Sequence, residues 1–192
     1  MDYVIDSMND SGVLKYQEEV IRIYRQAFEQ APYHKSETEV ASFRQSLNRH
    51  LRRPGFHFMI ARDQKSSRPV GFTYGYSGQA GQWWHDIVVK AMDQQVAATW
   101  MMDNFELVEL AVLPAYQGRG IGSALHDRLL IEQGHSKAVL STLRSETAAL
   151  HLYRKRGWET LLDELQFPGS NRVYLIMGID LIKRLSESDF RP

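Results

Sequence analysis

Cysteine is missing from all 192 residues. Disulfides, thiolate metal sites and cysteine nucleophiles are thereby excluded. A net charge of either sign is missing too, since 23 Lys and Arg balance 23 Asp and Glu. No overall electrostatic footprint for nucleic acid or an anionic membrane results. The local cluster Arg49, Arg52 and Arg53 reads as a solvated helix end that complements the helix dipole. No apolar run approaches the ~20 residues that a membrane helix requires. The opening Met1-Asp2-Tyr3-Val4-Ile5-Asp6 lacks the basic-then-apolar pattern of a secretory leader. A cytoplasmic protein with no membrane and no nucleic-acid partner is expected. Histidine spacing offers no H-x-x-x-H and there is no acidic cluster, so no metal is expected. Repeats, low-complexity stretches and linkers are also lacking.

What is present reads as one α/β domain over 1–192, with a core of ordinary size. Tyr3, Val4 and Ile5 suggest a short strand. Val20, Ile21, Tyr24, Ala27 and Phe28 recur at helical spacing. A second helix is expected from Ser36, with Glu39 completing a capping box, to a stop at Pro54-Gly55. Strands are expected over 56–61 and 70–76. The stretch 77–98, with Trp83 and Trp84 near its start, reads as an insertion. The most apolar strand is expected over 105–113 and suits a sheet covered on both faces. A Gly-rich turn and a helix with Ala124, Leu125, Leu129 and Leu130 follow. Then come a strand over 138–143, a helix over 146–156 closed by Gly157, and strands near 159–162 and 173–179.

The turn Gln117-Gly118-Arg119-Gly120-Ile121-Gly122-Ser123 lies between that strand and a helix. Glycines let backbone N–H groups turn inward, and a helix N-terminus adds positive potential; together they suit a phosphate. Arg119 adds charge. A ligand-free tight turn is the competing reading. A dinucleotide fingerprint is excluded by Ser123 at its last glycine, and a P-loop by the lack of Gly-Lys-Ser/Thr.

The run Leu110-Ala111-Val112-x-Pro114-x-x-Gln117-Gly118-x-Gly120-Ile121-Gly122-Ser123-x-Leu125 resembles the coenzyme motif of the GNAT superfamily of N-acetyltransferases. A second run, Glu146-x-x-Ala149-x-x-Leu152-Tyr153-x-x-x-Gly157-Trp158, resembles that family's downstream motif. The resemblance implies a single-domain fold with a mixed central sheet splayed between strands 4 and 5 and helices on both faces. It implies acetyl-CoA as co-substrate. Its pantetheine is expected along the backbone of Leu110, Ala111 and Val112, and its pyrophosphate on the N–H groups from Gly118 to Ser123. It also implies that Tyr153 is the acid for the leaving thiolate, a role that suits a neutral phenol. By the same resemblance the base is expected to be Glu109, closer to the splay, with Glu106 as its rival; the two point to opposite faces of an unbroken strand. Structural ion pairs are the competing reading for both. Glu146 departs from the family's common Asn, and no coenzyme contact is expected of it.

The reaction implied is transfer of an acetyl group to a primary amine of a small molecule, by direct attack through a tetrahedral intermediate. A protein or peptide amine, and a non-catalytic coenzyme-binding module, are the alternatives. Tyr33, Tyr74, Trp83 and Trp84 are the aromatic candidates for the acceptor, which cation–π contact would suit; packing is the competing role for each. A homodimer is the one assembly considered.

Overall fold

The computed structural model describes residues 2–182. Met1 and 183–192, the ends of the expected single domain, lie outside the described residues. Among the described residues, hydrogen bonding orders seven strands as β1-β2-β3-β4-β5-β7-β6. The sheet is mixed: β4 runs parallel to β5, while the β1–β2, β2–β3, β5–β7 and β6–β7 pairs are antiparallel. The described residues divide into two compact units, 2–76 with 108–133 and 77–107 with 134–182.

The first unit begins with β1 (Tyr3–Met8). A short helix that periodicity had not suggested follows, α1 (Asp10–Lys15), which Asn9 starts by accepting a hydrogen bond from the Gly12 N–H. Next come α2 (Gln17–Phe28) and α3 (Glu37–His50). The expected capping box is present: Ser36 accepts from the Glu39 N–H, and the Glu39 carboxylate accepts from the Ser36 N–H. Such a cap is worth about 1 kcal/mol. Then follow β2 (His57–Asp63) and β3 (Pro69–Gly78), whose last two residues pass into the second unit. Every residue of β3 is buried, as a strand with both faces covered should be. Phe72 stacks on Phe58 at 5.7 Å between ring centroids, and Phe58 on Tyr74 at 5.9 Å. Burying each such ring stabilises the unit by about 1.5–3 kcal/mol. The C-terminal part of β4 (Asn104–Val112), a single 3₁₀ turn at Pro114–Tyr116, and α6 (Ile121–Glu132) complete the unit. Leu125 and Leu129 bury that helix where it packs on β2 and β1.

In the second unit the stretch read as an insertion folds into two helices, α4 (Trp83–Ala91) and α5 (Gln94–Trp100). Val88, Met92, Ala97 and Met101 from this region form a core with Val139, Leu165, Phe167 and Ile176. The other elements are β5 (Lys137–Leu143), α7 (Ala148–Lys155), β6 (Glu159–Gln166) and β7 (Val173–Asp180). The registered β4–β5 pairs are Phe105 with Ala138 and Glu106 with Val139, at the starts of both strands. β6 runs four residues beyond the expected 162, because its register shifts past Leu162 keep it paired with β7. α7 starts at Ala148, two residues later than expected. Thr147 is its N-cap, accepting from the Leu150 N–H, and Glu146 stands outside the helix in an ion pair with Arg154 at 2.8 Å.

Candidate functional site

The strand-to-helix turn of the first unit is built to leave backbone donors open. The Gln117 side-chain amide donates to the Val112 carbonyl at 3.0 Å, tying the turn to the end of β4. Gly118 and Gly120 have φ of 73° and 82°. An L-residue would be strained there by roughly 1–2 kcal/mol. Crowding is not the reason for glycine: a Cβ at Gly118 would meet nothing within 4 Å, and one at Gly120 only the Tyr3 hydroxyl, 3.9 Å away. Gly120 is the N-cap of α6 and has no side chain with which to cap it. The first backbone donor of the helix to find its intrahelical acceptor is Ala124, bonded to the Gly120 carbonyl at 3.0 Å. The N–H groups of Ile121, Gly122 and Ser123 precede it, at the positive end of a 12-residue helix. Arg119 is exposed; its guanidinium donates to the Ala115 carbonyl at 2.9 Å and lies over the Tyr116 ring. Arg119, Tyr116 and Ile121, with Tyr3 of the first strand and Asp2 just before it, line a cleft beside the turn. Open N–H groups, a helix dipole and a guanidinium are the donor set that a diphosphate needs.

Upstream on β4, Leu110 is half-buried and Ala111 and Val112 are buried. Glu109 is partly exposed as a residue, but its carboxyl end is surrounded by protein. Burial therefore raises its pKa above the ordinary carboxylate range, and the Lys35 ammonium opposes that rise. The carbonyl of Glu109 accepts a hydrogen bond from the Thr73 hydroxyl at 2.8 Å, and Thr73 is wholly buried. Sequence patterning missed both Thr73 and Lys35. A threonine in a strand and a lysine in a loop are ordinary there, and only the folded chain brings them to residue 109.

Tyr33 and Tyr74 also belong to the first unit. Tyr33 is half-buried and packs edge-on against Phe28 at 4.8 Å. Tyr74 is 1% exposed and shares a hydrogen bond of 3.1 Å with His50 Nδ1. Burial, followed by the charges of Arg53 and Arg49, pushes the His50 pKa down to about 4.

The second unit holds the other candidates. Tyr153 is buried on α7, which packs on β5. Its ring lies 5.7 Å from that of Trp158, and its carbonyl accepts from the Trp158 N–H at 3.1 Å. The left-handed Gly157, with φ of 82°, makes that closure. Glu106 is buried opposite Val139. Trp84 donates its indole N–H to the Ser141 hydroxyl at 3.2 Å, whereas Trp83 is 59% exposed and stacks on Phe167. The site candidates thus fall as Tyr33, Tyr74, Glu109 and the turn in one unit, and Glu106, Trp83, Trp84 and Tyr153 in the other. Among the described residues no group of three or more His, Asp or Glu side chains is placed to hold a metal ion, and no helix is long and apolar enough to cross a membrane.

The acetyltransferase (GNAT) domain family matches residues 54–160, more than half of the chain. The chain belongs to this family. The match takes in the strand, turn and helix that carry the open donors and the helix that carries Tyr153. A curated relative, the GCN5-like protein acetyltransferase Rv2170 of Mycobacterium tuberculosis, is 37% identical over 117 residues, 57% of this chain and 57% of that protein. The likeness therefore spans little more than half of that relative's length. Among solved structures, PH1933 from Pyrococcus horikoshii superposes with a TM-score of 0.61 and 18% identity, covering 93% of this chain and 98% of that one. The PaiA N-acetyltransferase of Thermoplasma acidophilum, solved with coenzyme A, gives 0.60 and 17% over 94% and 99% of the two chains. The ribosomal-protein-S18-alanine N-acetyltransferase of Escherichia coli gives 0.58 and 15% over 93% and 94%. These three likenesses establish the GNAT fold.

Proposed function

We propose that this GNAT chain is an acetyl-CoA-dependent N-acyltransferase acting on a primary amine of a small molecule. The observation that carries the reading is the 117–123 turn. Two left-handed glycines, an uncapped helix N-terminus and Arg119 form a diphosphate cradle directly after the strand that the family uses for pantetheine. The backbone of Leu110, Ala111 and Val112 takes the pantetheine arm in this reading.

Thioester aminolysis needs a free amine, a stabilised oxyanion and a proton for the thiolate. Glu109 is assigned the first task. Desolvation makes its carboxylate a stronger base than one in water, so it takes the amine proton, directly or through a water. The amine nitrogen then bonds to the thioester carbonyl carbon. A backbone N–H of Leu110 or Ala111 holds the oxyanion. The nitrogen sheds its second proton to water, the carbon–sulfur bond breaks, and Tyr153, by its place in the second motif, returns a proton to the leaving sulfur. Glu106 is the rival base. Cytoplasmic location and the span of one domain over 1–192 belong to the same reading.

The test is thiol release from acetyl-CoA by the purified protein across amines, amino acids, aminoglycosides and peptides. Amine-dependent release supports a transferase and names the acceptor class. Binding of acetyl-CoA without release from any acceptor would instead favour a regulatory coenzyme-binding module. The name of the relative Rv2170, a protein acetyltransferase, favours a second reading with a protein or peptide amine as acceptor. Release with peptides alone would select it.

A further inference from the structure

Lysine ammonium groups usually reach into water, with the stem alone covering apolar surface. Lys35 does not. It is half-buried, its Nζ lies 4.7 Å from the centroid of the Tyr24 ring and 5.2 Å from that of Phe28, and it donates a hydrogen bond to the Tyr24 hydroxyl. The box is rigid. Tyr24 stacks flat on Phe43 at 3.8 Å and meets Phe28 edge-on at 4.9 Å, and all three rings are buried. The backbone leading to Lys35 is equally fixed. Tyr33 and His34 both donate to the Gln30 carbonyl at 3.0 Å, and Lys35 donates to the Phe28 carbonyl at 2.9 Å. His34 takes a φ of 44°, an uncommon conformation for a non-glycine residue.

A cation held this firmly is expected to have an anion nearby. Arg25, Arg44 and Arg62 of the same unit are paired with Glu37, Glu18 and Asp6. Among the described residues, no carboxylate lies within ion-pair distance of Lys35. An ammonium has three donors, and the Tyr24 hydroxyl takes one. The charge is felt where the chemistry is assigned, since it acts on the buried carboxyl of Glu109.

We propose that Lys35 anchors a carboxylate carried by the acceptor, so that the acceptor is an amine with an acidic group close to its nitrogen. A polyamine is the wrong acceptor for this site, because its second cation would face a fixed ammonium. The carboxylate belongs either to a free amino acid or to an acidic side chain beside the target amine of a peptide. The inference rests on the acyltransferase reading.

The experiment compares kcat/KM, calculated for the unprotonated amine, in matched pairs: amino acids against their carboxamides, and peptides with Asp against Asn beside the reactive amine. The carboxylate member is expected to be preferred by about tenfold or more, the range of a charged hydrogen bond. Lys35→Met and Lys35→Gln should both bring the ratio to about one, and Lys35→Arg should keep most of it. The arm with the larger ratio identifies the source of the carboxylate. Equal use of both members by the wild type, or a preference that survives in Lys35→Met and Lys35→Gln, would overturn the proposal while leaving the transferase intact. No amine-dependent release from any acceptor would overturn the transferase reading, and this inference with it.

Discussion

Two opposed influences meet at the carboxyl of Glu109: burial raises its pKa, and Lys35 holds the rise in check. A base works only when deprotonated, so activity should climb with pH as the raised pKa is passed. Glu109→Gln is expected to flatten that limb of the kcat/KM profile and to lower the rate by about 10²–10⁴. Stability follows the opposite sign. The folded pKa lies above the unfolded one, so the contribution is fully present below the unfolded value and is lost as pH rises through the folded value. Denaturant titrations should therefore show Glu109→Gln losing less stability than wild type across that interval. A wild-type rate profile in the variant would transfer the role to Glu106 or remove it. Tyr153→Phe keeps the ring against Trp158 but removes the proton; turnover should fall by about 10²–10⁴ with little change in melting temperature. Unchanged turnover would take Tyr153 out of the mechanism. Neither carboxylate could be ranked from the strand pattern alone. Desolvation of Glu109 depends on the side chains of other segments, and spacing within β4 carries no information about them.

Among the elements, α3 and β3 are joined by a pair that titrates. His50, the last residue of the helix, bonds to Tyr74, and Arg53 lies over the Tyr76 ring at 4.5 Å. With its pKa near 4 against an ordinary 6.5, His50 stays neutral in the folded chain while the unfolded chain takes up a proton. Its stability contribution is complete above about 6.5 and lost as pH falls toward 4. Allowing for partial exposure, roughly 2 kcal/mol is at stake. Urea unfolding at pH 7 and pH 5 should show a smaller loss in His50→Gln, which keeps a polar partner for Tyr74. An equal loss in both proteins would assign the acid sensitivity elsewhere. The elements themselves were largely legible: Ser36 and Glu39 announced the start of α3, and Pro114 and Gly157 closed β4 and α7. α1 was not, because six residues with only Val13 buried carry too little periodicity to be seen.

For the whole molecule, ligand linkage gives a test that needs no acceptor. Acetyl-CoA at about 100 times its Kd should stabilise the protein by about 2.7 kcal/mol, or roughly 5–11 °C in melting temperature for a chain of this size. Gly120→Val places a side chain at a left-handed position among the open donors, and should melt lower and lose most of the shift. A full shift in that variant would separate coenzyme binding from the 117–123 turn. The two units need not melt together, so near-ultraviolet and far-ultraviolet signals should be followed in parallel.

By itself the sequence determined what local chemistry controls: the α/β order, the caps and breaks, the glycines that permit positive φ, and the motifs that point to the GNAT family. Each depends on residues within a few positions of one another, where sterics and hydrogen bonding act through the backbone. The tertiary structure decided what depends on burial and on distant partners. It put Tyr74 in a core beside His50, left Trp83 exposed while tying Trp84 to Ser141, and paired Glu146 with Arg154 outside its helix. It also brought Thr73 and the charge of Lys35 to Glu109 from segments 36 and 74 positions away. Desolvation and Coulomb interaction depend on distance in space, and separation along the chain does not encode that distance.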